Sequence, residues 1–385
     1  MRLGINGFFW GQEITGSGQY TRQLVHGLMT IPDGPECLLF RPKSREVEKD
    51  AVALGGKMQE RFLSPPLPLT ENLSKLWFEQ ISFPRACLGQ GVDVAHIPYF
   101  ASPLQAGSRT VVTIHDLIPL ILPAYRGSIL VRLYTQLVVA AARRATAIMT
   151  DSHSSKKDIT ELLGIPPDRV HVIHLAAREM FKPVRDSERL NMTRQKYGLQ
   201  GEYILYLGGF DRRKNLKTLL AAFASMDDSL RARAHLVIGG HLPQESSPFF
   251  PDPRVIVERL GLQGRVSFVG SVPEKEKPAL YSGATLFVFP SLYEGFGLPP
   301  LEAMACGTAV IASDRSSLPE IGGEGALLVD PDDVHGLARA MTSLMEDERR
   351  RRELAAKGLK QAQRFSWQKT VAETMAVYRS VAASY

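Results

Sequence analysis

Two glutamates lie on either side of a glycine- and proline-rich turn in the stretch "SLYEGFGLPPLEAMACGTAVIAS", residues 291–313. The apolar run "TLFVFP" precedes Glu294, and the double proline at 299–300 predicts a helix that carries Glu302 in its first turn. Glycines in the connecting loop, residues 295–297, would let backbone N–H groups approach an anion at the helix start. A sugar–diphosphate–ribose ligand fits this pattern, because a phosphate would lie on the loop and hydroxyl groups would donate to the carboxylates. The alternative is that Glu302 is a helix-dipole glutamate and Glu294 a solvated loop residue.

A second group of candidate residues is cationic. In "LYLGGFDRRKNLKTLLAAF" a predicted strand ends in two glycines, Gly209 being the second, and a predicted helix begins at Asn215. Arg212, Arg213 and Lys214 lie between them, where cations would stabilise the growing charge of a diphosphate leaving group. The alternative is a loop of solvated charges. A Walker loop is excluded, because the chain has no Gly-Lys-Ser/Thr sequence at this position.

Two further motifs follow predicted strands in the first half of the chain. The glycine-rich loop "ITGSGQYTRQLV", residues 14–25, leads into a helix but lacks the third glycine of a dinucleotide fingerprint, so NAD binding is weakly supported and a plain turn is the alternative. In "VVTIHDLIP", His115 and Asp116 lie at the carboxyl end of a strand. His115 is therefore a candidate for catalysis as well as for a structural role.

The elements that would position these residues alternate in type along the chain. Short runs that are apolar throughout predict strands, and segments with apolar residues at spacings of three and four predict helices between them. Such a pattern is typical of parallel sheets covered on both faces, so we predict an α/β fold of two Rossmann-like domains facing across a cleft. Ligands of such sheets bind beyond the carboxyl ends of the strands, where each candidate residue lies. The predicted strands cover residues 2–6, 92–97, 110–115, 147–152 and 170–174, then 203–209, 235–240, 266–270, 285–291, 309–313 and 326–330.

Two domains also suit the length of 385 residues, which is too long for one ordinary core. The polar segment 178–189 lacks a periodic apolar face, so we predict an N-terminal domain of residues 1–183 and a C-terminal domain of 184–365. The tail, residues 366–385, is an amphipathic helix with no strand after it, and it must dock on a domain already built.

Composition bounds the class of protein. A hydrophobic content of 44%, a charged content of 22% and a net charge of +6 describe a globular protein with a mild basic excess, and no nucleic-acid partner is expected. The three cysteines are scattered without a CxxC pair, which argues against a disulfide framework or a zinc site and favours a reducing cytoplasm. The N-terminus has no signal-peptide pattern, and the most apolar helical stretch, "SILVRLYTQLVVAAARRA", is too short to span a bilayer.

The motifs together resemble the family-four retaining glycosyltransferases, also called group 1, over nearly the whole chain. The stretch 291–313 is similar to the E-x7-E signature of that family, and "GGFDRRKN" is similar to its G-x-x-x-P-R-K-N segment. The glycine loop, "TIHDLIP" and the closing "FSWQKTVAETMAVY" match further motifs in the correct order. Asp211-Arg212 stands where the family commonly has a Glu-Pro pair, which leaves open whether Arg212 or Arg213 faces the phosphates.

The resemblance implies a GT-B fold and a role for each matching residue. The C-terminal domain would bind a nucleotide-diphosphate sugar, with Glu302 accepting from the ribose hydroxyls and Glu294 from the donor sugar. Lys214 and Arg213 would lie beside the diphosphate, which would also be held by donor-binding residues on the loops: Gly209, Phe296, Gly297 and Leu298.

The N-terminal domain would bind the acceptor, and the last helix would cross back to it. Gly16 and Gly18 would approach the diphosphate, and His115 would contact the transferred sugar. Members of this family retain the anomeric configuration and generally use no metal, since cations take that role. No cofactor and no metal site are therefore predicted, and the chain has no Asp-x-Asp at the motif positions.

The donor and acceptor are predicted less directly. The run "RKNL" and the stretch 291–313 resemble the mannosyltransferase-like branch, which favours GDP-mannose over a UDP-sugar such as UDP-glucose. A non-hydrolysing nucleotide-sugar epimerase and a non-catalytic partner subunit are the alternatives from other classes. The expected acceptor is a glycan, a lipid-linked glycan or a small molecule, and the protein would be cytoplasmic. A peripheral contact with the inner face of the membrane is suggested by six basic residues of the N-terminal domain: Arg126, Arg132, Arg143, Arg144, Lys156 and Lys157.

Overall fold

The computed structural model describes residues 1–12, 15–43, 58–65 and 70–383. Contacts within the chain divide it into two compact units. The first unit comprises Met1–His174 together with Trp367–Tyr385, and the second comprises Leu175–Ser366. Each unit is built around one parallel sheet with helices on its faces.

The first unit contains a seven-stranded sheet in the order β3-β2-β1-β4-β5-β6-β7, with every neighbouring pair parallel. Strands such as β4 and β6 are largely apolar and fully buried because helices cover the middle of the sheet, as in other doubly wound folds. The strands are β1 (Arg2–Asn6), β2 (Glu36–Pro42), β3 (Met58–Leu63), β4 (Val94–Ile97), β5 (Arg109–Thr113), β6 (Ala147–Thr150) and β7 (Val170–Val172). The helices are α1 (Gly16–Met29), α2 (Glu71–Trp77), α3 (Phe83–Gly89), α4 (Ile118–Ile121), α5 (Ile129–Ala142) and α6 (His153–Leu163), with a π-helical turn at Phe78–Ser82.

The second unit contains a six-stranded parallel sheet in the order β10-β9-β8-β11-β12-β13. The strands are β8 (Glu202–Leu207), β9 (Ala234–Gly239), β10 (Val266–Gly270), β11 (Leu286–Phe289), β12 (Val310–Ser313) and β13 (Ala326–Val329). The helices are α7 (Ser187–Lys196), α8 (Leu216–Ala224), α9 (Asp228–Arg233), α10 (Pro253–Arg259), α11 (Lys277–Ser282), α12 (Leu298–Ala305), α13 (Leu318–Gly322), α14 (Val334–Glu346) and α15 (Glu348–Ala362). Its core is formed by strands such as β11, whose four residues are all buried.

The prediction of two Rossmann-like domains is confirmed, and each predicted strand corresponds to an observed one. Two observed strands, β2 and β3, are not predicted. In β2 the run "CLLF" is followed by Arg41, a residue type that normally lies at the surface, yet Arg41 is buried and forms an ion pair with Glu60 of β3 at 2.8 Å. In β3 only the first residue is buried, so this edge strand has no apolar pattern to recognise.

The segment that follows the first unit along the chain belongs to the second unit. The division falls between His174 and Leu175, ahead of the expected boundary at residue 183. Between these two points Arg178 forms an ion pair with Glu274, and the ring of Phe181 lies 6.1 Å from that of Tyr281. Side-chain packing on the second unit thus already begins within the polar segment 178–189, ahead of residue 183.

The last helix, α16 (Trp367–Ala383), packs on α1, β4 and β5 of the first unit. Its Tyr378 is fully buried, and the phenol oxygen lies 2.7 Å from Nδ1 of His96. The other ring nitrogen, Nε2, lies 2.8 Å from Oγ1 of Thr113. Burial lowers the pKa of His96 to about 3, so the ring is neutral and needs one donor and one acceptor as partners.

No helix in the described part of the chain is both long enough and apolar enough to cross a membrane.

We predict that Tyr378→Phe lowers the free energy of unfolding by about 1–3 kcal/mol, because it leaves Nδ1 of a buried imidazole without its partner. Tyr378→Ala should cost about 3–5 kcal/mol, since it also opens a cavity. Urea unfolding at pH 7 followed by circular dichroism measures both changes. Equal stability of Tyr378→Phe and the parent protein would show that the bond to His96 makes no net contribution.

Candidate active site

The strand order places the charged loops of the second unit side by side. β8 and β11 are neighbours, and the connections leave them in opposite directions, toward β9 and toward β12. In open α/β sheets a crevice forms beyond the carboxyl ends of two such strands. The loop after β8 carries Arg213 and Lys214, and the loop after β11 carries Glu294.

The loop after β8 turns sharply into helix α8. Residues Arg212–Lys214 form a 3-10 turn, and Asn215 has a left-handed backbone with φ of 57°. Its side-chain amide donates to the carbonyls of Pro290 at 3.1 Å and Pro331 at 2.7 Å, which ties the turn to the end of β11. Asparagine suits this position, because it adopts the left-handed region more readily than most residues.

Glu294 accepts from both cations of the neighbouring loop. Its Oε1 lies 2.7 Å from Nζ of Lys214, and its Oε2 lies 2.6 Å from Nη1 of Arg213. The same Arg213 nitrogen is 2.8 Å from the carbonyl oxygen of Tyr293, and Nε is 3.5 Å from Asp211. All three charged groups of Glu294, Arg213 and Lys214 are only 12% exposed. We call these three residues the charged triad.

Hydroxyl groups hold the Glu294 end of the triad. Ser291 donates to Oε1 of Glu294 at 2.6 Å, and the Glu294 N–H donates to Oγ of Ser316 at 3.0 Å. The Glu294 carbonyl accepts from Ser316 and, at 3.0 Å, from Ser317. Ser316 itself has a left-handed backbone with φ of 58°, an uncommon conformation for serine. The backbone and the carboxylate of Glu294 are therefore both fixed.

The charges of the triad determine the protonation of Glu294. Burial acts to raise its pKa, but Lys214 and Arg213, together with hydrogen bonds from Lys214 and Ser291, outweigh burial and hold the pKa below its usual value. Glu294 is therefore an acceptor-only carboxylate at neutral pH.

The loop from Gly295 to Gly297 leads into helix α12, as predicted. Gly297 has φ of 120°, and a Cβ there would lie 2.8 Å from Cδ2 of Leu318, so only glycine fits without strain. Phe296 is buried, with its ring 5.9 Å from that of Phe365. Since the two prolines after Leu298 have no N–H, the N–H groups available at this helix end include those of Gly297 and Leu298.

Glu302 does not lie where its sequence position suggests. Helix α12 begins at Leu298, before the prolines, so Glu302 is in the second turn and the prediction of a first-turn residue is wrong. Its side chain is 7% exposed and accepts from the hydroxyl of Tyr281 at 3.0 Å. Burial raises its pKa to about 7, against the opposing charge of Lys277 and with the aid of Glu274. Because Glu302 lies outside the first turn of α12, it is not a helix-dipole glutamate. Because its pKa is about 7, this carboxyl changes its charge near neutral pH.

In the first unit, the glycine loop leads into helix α1 and is held by contacts of Thr15 and Gly18. Thr15 caps α1 by accepting from the Gly18 N–H at 3.1 Å. A Cβ at Gly18 would lie 2.2 Å from the carbonyl oxygen of Gln12, so this position requires glycine, whereas Gly16 has open space around it. The predicted motif also includes Ile14, which lies outside the described residues.

His115 follows β5, as predicted, and both of its ring nitrogens have acceptors. Nδ1 lies 2.7 Å from Oδ2 of Asp151, and Nε2 lies 3.3 Å from the carbonyl oxygen of Pro98. Two acceptor-only neighbours require two N–H groups, which only the imidazolium has. Burial by itself lowers the pKa of His115, but Asp151, aided by Asp116 and Pro98, raises it above the usual value. His115 is thus a hydrogen-bond donor with cationic character.

An aromatic cluster follows β1 and β4 in the same unit. Nζ of Lys75 lies 5.3–5.8 Å from the centroids of four rings, those of Phe8, Phe9, Tyr99 and Tyr134. Lys75 also lies 3.8 Å from the buried Glu79, which accepts from the Tyr134 hydroxyl at 2.7 Å. A cation among aromatic faces is favourable, and the rings offer flat apolar surfaces at the end of the sheet.

The predicted residues therefore form separate groups. The structure brings Arg213, Lys214 and Glu294 together, and it places exposed Arg212 outside this group. Glu302 belongs with Tyr281, and Gly209 is fixed through its carbonyl, which accepts from Tyr206 at 2.7 Å. His115, Gly16 and Gly18 lie in the first unit.

The sequence prediction missed the aromatic cluster around Lys75 and the residues that position the other groups, namely Asp151, Ser291, Ser316 and Ser317. Asp151 could have been recognised, because it directly follows β6 in "AIMTDS".

The fold resembles that of solved structures along the full length of the chain. The structure of sucrose-phosphate synthase from Thermosynechococcus elongatus superposes with a TM-score of 0.78 at 24% identity and covers 100% of both chains. HepE from Anabaena, solved with UDP and glucose, gives a TM-score of 0.75 at 18% identity over 99% of this chain and 100% of that one. The two parallel Rossmann-like domains thus define a protein of the GT-B class.

Sequence comparison gives the family. The model for glycosyltransferase family 4 matches residues 14–177, and the model for glycosyl transferases group 1 matches residues 191–361. The chain is 34% identical over 374 residues to O-antigen chain mannosyltransferase B of Escherichia coli, which covers 95% of this chain and 96% of that protein. It is also 37% identical over 267 residues to the mannosyltransferase WbdA of Escherichia coli, covering 68% of this chain and 32% of that protein. The chain belongs to the group 1 glycosyltransferases of family 4.

We predict that Asp151→Asn lowers the pKa of His115, because the charge that opposes burial is removed. An NMR titration of the imidazole protons measures the pKa, with Asp116→Asn as the matched control. The control should cause a smaller fall, because Asp116 has no hydrogen bond to the ring and instead accepts from the Ile118 N–H at 3.0 Å.

The raised pKa also predicts how stability varies with pH. The stability that this pair contributes is fully present below the unfolded pKa of about 6.5 and is lost as pH rises through the folded value. Asp151→Asn should remove this pH dependence. An unchanged pKa of His115 in Asp151→Asn would contradict the assignment of Asp151 as its partner.

Proposed function

We propose that this glycosyltransferase moves a mannosyl residue from GDP-mannose to a glycan or lipid-linked acceptor, retains the anomeric configuration and needs no divalent metal. The observation that carries the proposal is the charged triad beyond β8 and β11. Support for the mannosyl donor comes from the full-length similarity to O-antigen chain mannosyltransferase B.

The cations of the triad suit a diphosphate leaving group. Within the described residues, Glu294 is the only hydrogen-bond acceptor of the Lys214 ammonium, which has three N–H groups. Two donors therefore remain for phosphate oxygens. Arg213 adds a planar guanidinium whose geometry matches phosphate oxygens, with its Nη1 directed at Glu294 and Tyr293 and its Nε 3.5 Å from Asp211. Negative charge develops on the diphosphate as it leaves. Cations already fixed beside it stabilise this transition state without reorganisation, which is the role a metal would otherwise have.

Glu294 is assigned to the donor sugar. A carboxylate that stays ionised accepts hydrogen bonds from sugar hydroxyls and orients the ring. Departure of the diphosphate builds positive charge at the anomeric carbon, and a fixed negative group nearby acts most strongly at that point. Its hydrogen bonds to Lys214 and Arg213 would also place the sugar next to the diphosphate.

Glu302 is assigned to the ribose. It belongs to the same helix that presents the Gly297 and Leu298 N–H groups, which we assign with Phe296 and Gly209 to the diphosphate. As a carboxylate, Glu302 would accept from ribose hydroxyls, and its pKa of about 7 means that this form prevails above neutral pH.

The first unit is assigned to the acceptor. Its aromatic cluster offers apolar faces and a cation in one place, a combination that suits the amphipathic ring of a sugar. His115, as a cationic donor, is assigned to the transferred sugar and Gly16 and Gly18 to the diphosphate, following the family resemblance.

A thermal-shift screen followed by product analysis tests the proposal. GDP-mannose and GDP should raise the melting temperature more than UDP-glucose and UDP at equal concentration, because ligands that bind the folded state stabilise it by mass action. Proton NMR of mannose released or transferred from GDP-mannose should show the α-anomer first, with undiminished rates in EDTA.

Three results would overturn parts of this proposal. A larger shift with UDP-glucose would replace the donor, and a β-anomer would exclude retention. Activity that is abolished by EDTA and restored by manganese or magnesium would remove the assigned role of Lys214 and Arg213.

A further inference from the structure

The phenol of Tyr281 lies in the core of the second unit and contacts the carboxylate that we assign to the ribose. Tyr281 belongs to α11 and is fully buried. Its hydroxyl donates to Oε2 of Glu302 on α12 at 3.0 Å. Within the described residues, no other hydrogen bond engages the Glu302 carboxylate. The orientation of this carboxylate therefore depends on one phenol.

The phenol is itself held by the residues around it. Its ring lies 5.3 Å from that of Phe287 on β11 and 6.1 Å from that of Phe181, at interplanar angles of 73° and 63°. The carbonyl oxygen of Tyr281 accepts from Oγ1 of Thr308 at 2.7 Å, which ties the end of α11 to the residues that follow α12. Packing and this bond together keep the hydroxyl of Tyr281 directed at Glu302.

The charged groups near Glu302 are engaged with one another. Lys277 of α11 forms an ion pair with Glu274, and Glu274 also pairs with Arg178. The two cations favour the ionised form of Glu302, whereas the charge of Glu274 opposes it. The other titratable group that interacts with Glu302 among the described residues is the thiol of Cys306, and burial raises the pKa of this thiol so that it stays neutral.

The bond from Tyr281 also affects the charge of Glu302. Burial raises the pKa of Glu302 to about 7, and the hydrogen bond from the phenol acts against this rise. An ionised carboxylate has about four lone-pair sites, so the phenol leaves most of them for hydroxyl groups of a ligand. A protonated carboxyl would lose part of this acceptor capacity. A single donor at this position therefore decides how much of the acceptor form is present at neutral pH.

We propose that Tyr281 is a positioning residue for the donor nucleotide, because it holds Glu302 as an ionised acceptor for the ribose hydroxyls and so selects ribonucleotides over 2′-deoxyribonucleotides. This inference rests on the proposed assignment of Glu302 to the ribose and adds the residue that fixes it there. A site built to accept from a ligand hydroxyl rejects the analogue that lacks it, since a buried polar group is then left unpaired.

Nucleotide affinity measured by calorimetry across pH tests this inference on the full chain. The ligands are GDP and 2′-deoxy-GDP, or the uridine pair if the thermal-shift screen favours UDP, because the ribose is common to both. The affinity of the parent chain should rise about tenfold from pH 6 to pH 8, beyond any rise seen with Glu302→Gln. The Glu302→Gln variant measures the titration of the terminal phosphate of the nucleotide, whose own pKa is about 6. At pH 8 the parent should prefer GDP to 2′-deoxy-GDP by about tenfold or more.

The variant Tyr281→Phe keeps the ring and removes the hydroxyl. Because the ionised form of Glu302 loses its donor, the pH midpoint of binding should move upward by about one unit or more. Affinity for GDP at pH 7 should fall by about fivefold or more, and the preference for GDP over 2′-deoxy-GDP at this pH should fall with it. Most of the lost affinity should return at high pH, which a packing defect would not cause.

Two further variants complete the set. Tyr203→Phe is the matched control, since this buried hydroxyl donates to the carbonyl of Leu280 on the same helix at 2.6 Å and leaves Glu302 untouched. Its midpoint and its preference for GDP should equal those of the parent. Thr308→Val removes the bond to the carbonyl of Tyr281 but keeps the phenol. It should move the midpoint in the same direction by a smaller amount, which gives a second reading if Tyr281→Phe does not fold.

The outcomes separate this inference from the proposed function. If Glu302→Gln leaves the pH midpoint and the preference for GDP as they are in the parent, the ribose assignment of Glu302 fails and the inference fails with it. If both properties depend on Glu302 but neither Tyr281→Phe nor Thr308→Val changes them, only the inference is overturned. Equal shifts in Tyr281→Phe and Tyr203→Phe would also overturn it, because they would indicate a general loosening of α11.

Discussion

The candidate site depends on one buried carboxylate shared by two cations. Glu294 lies 2.7 Å from Lys214 and 2.6 Å from Arg213, and these residues come from loops that follow adjacent strands. Removing one member of such a group leaves a buried charge without its partner, which is far more costly than the net contribution of an intact pair. The two loops come together because β8 and β11 are adjacent strands whose crossovers run in opposite directions.

Uncommon backbone conformations keep the triad in place. Asn215, Ser316 and Gly297 all have positive φ, and each lies at a turn that contacts the site. Asn215 ties the basic turn to the end of β11, Ser316 exchanges hydrogen bonds with the backbone of Glu294, and Gly297 opens the helix that carries Glu302. Glycine and asparagine adopt such conformations readily, whereas a serine such as Ser316 does so only where the surrounding structure determines it, and residues of that kind cluster at functional sites. The left-handed backbone of Ser316, which holds Glu294, thus supports the assignment of this region as the site.

The sequence predicts the layout well because apolar runs and the residues after them follow simple periodicity. It fails where long-range contacts override local pattern. The burial of Arg41 in β2 depends on Glu60 from another strand, although the apolar run "CLLF" before it is a signal that the sequence does offer. The helix start at Leu298 moves Glu302 out of the first turn, since the turn geometry at Gly297 determines where α12 begins. Ser316 contacts Glu294 from a distant part of the sequence, and no local pattern indicates that contact. Asp151 contacts His115 in the first unit, and its position at the end of a strand is a signal that the sequence does offer.

The two glutamates differ in environment, and that difference is the most direct test of the account. Glu294 is an ionised carboxylate among cations, whereas burial raises the pKa of Glu302 to about 7 beside Tyr281. The measurement is GDP affinity by calorimetry at pH 8, beside turnover of GDP-mannose, for Glu294→Ala and Glu302→Ala. The account predicts that Glu302→Ala weakens GDP by roughly ten- to a hundredfold, as expected for loss of hydrogen bonds to a charged group. Glu294→Ala should keep the affinity for GDP and lose turnover. Loss of GDP binding in Glu294→Ala with normal binding in Glu302→Ala would contradict it.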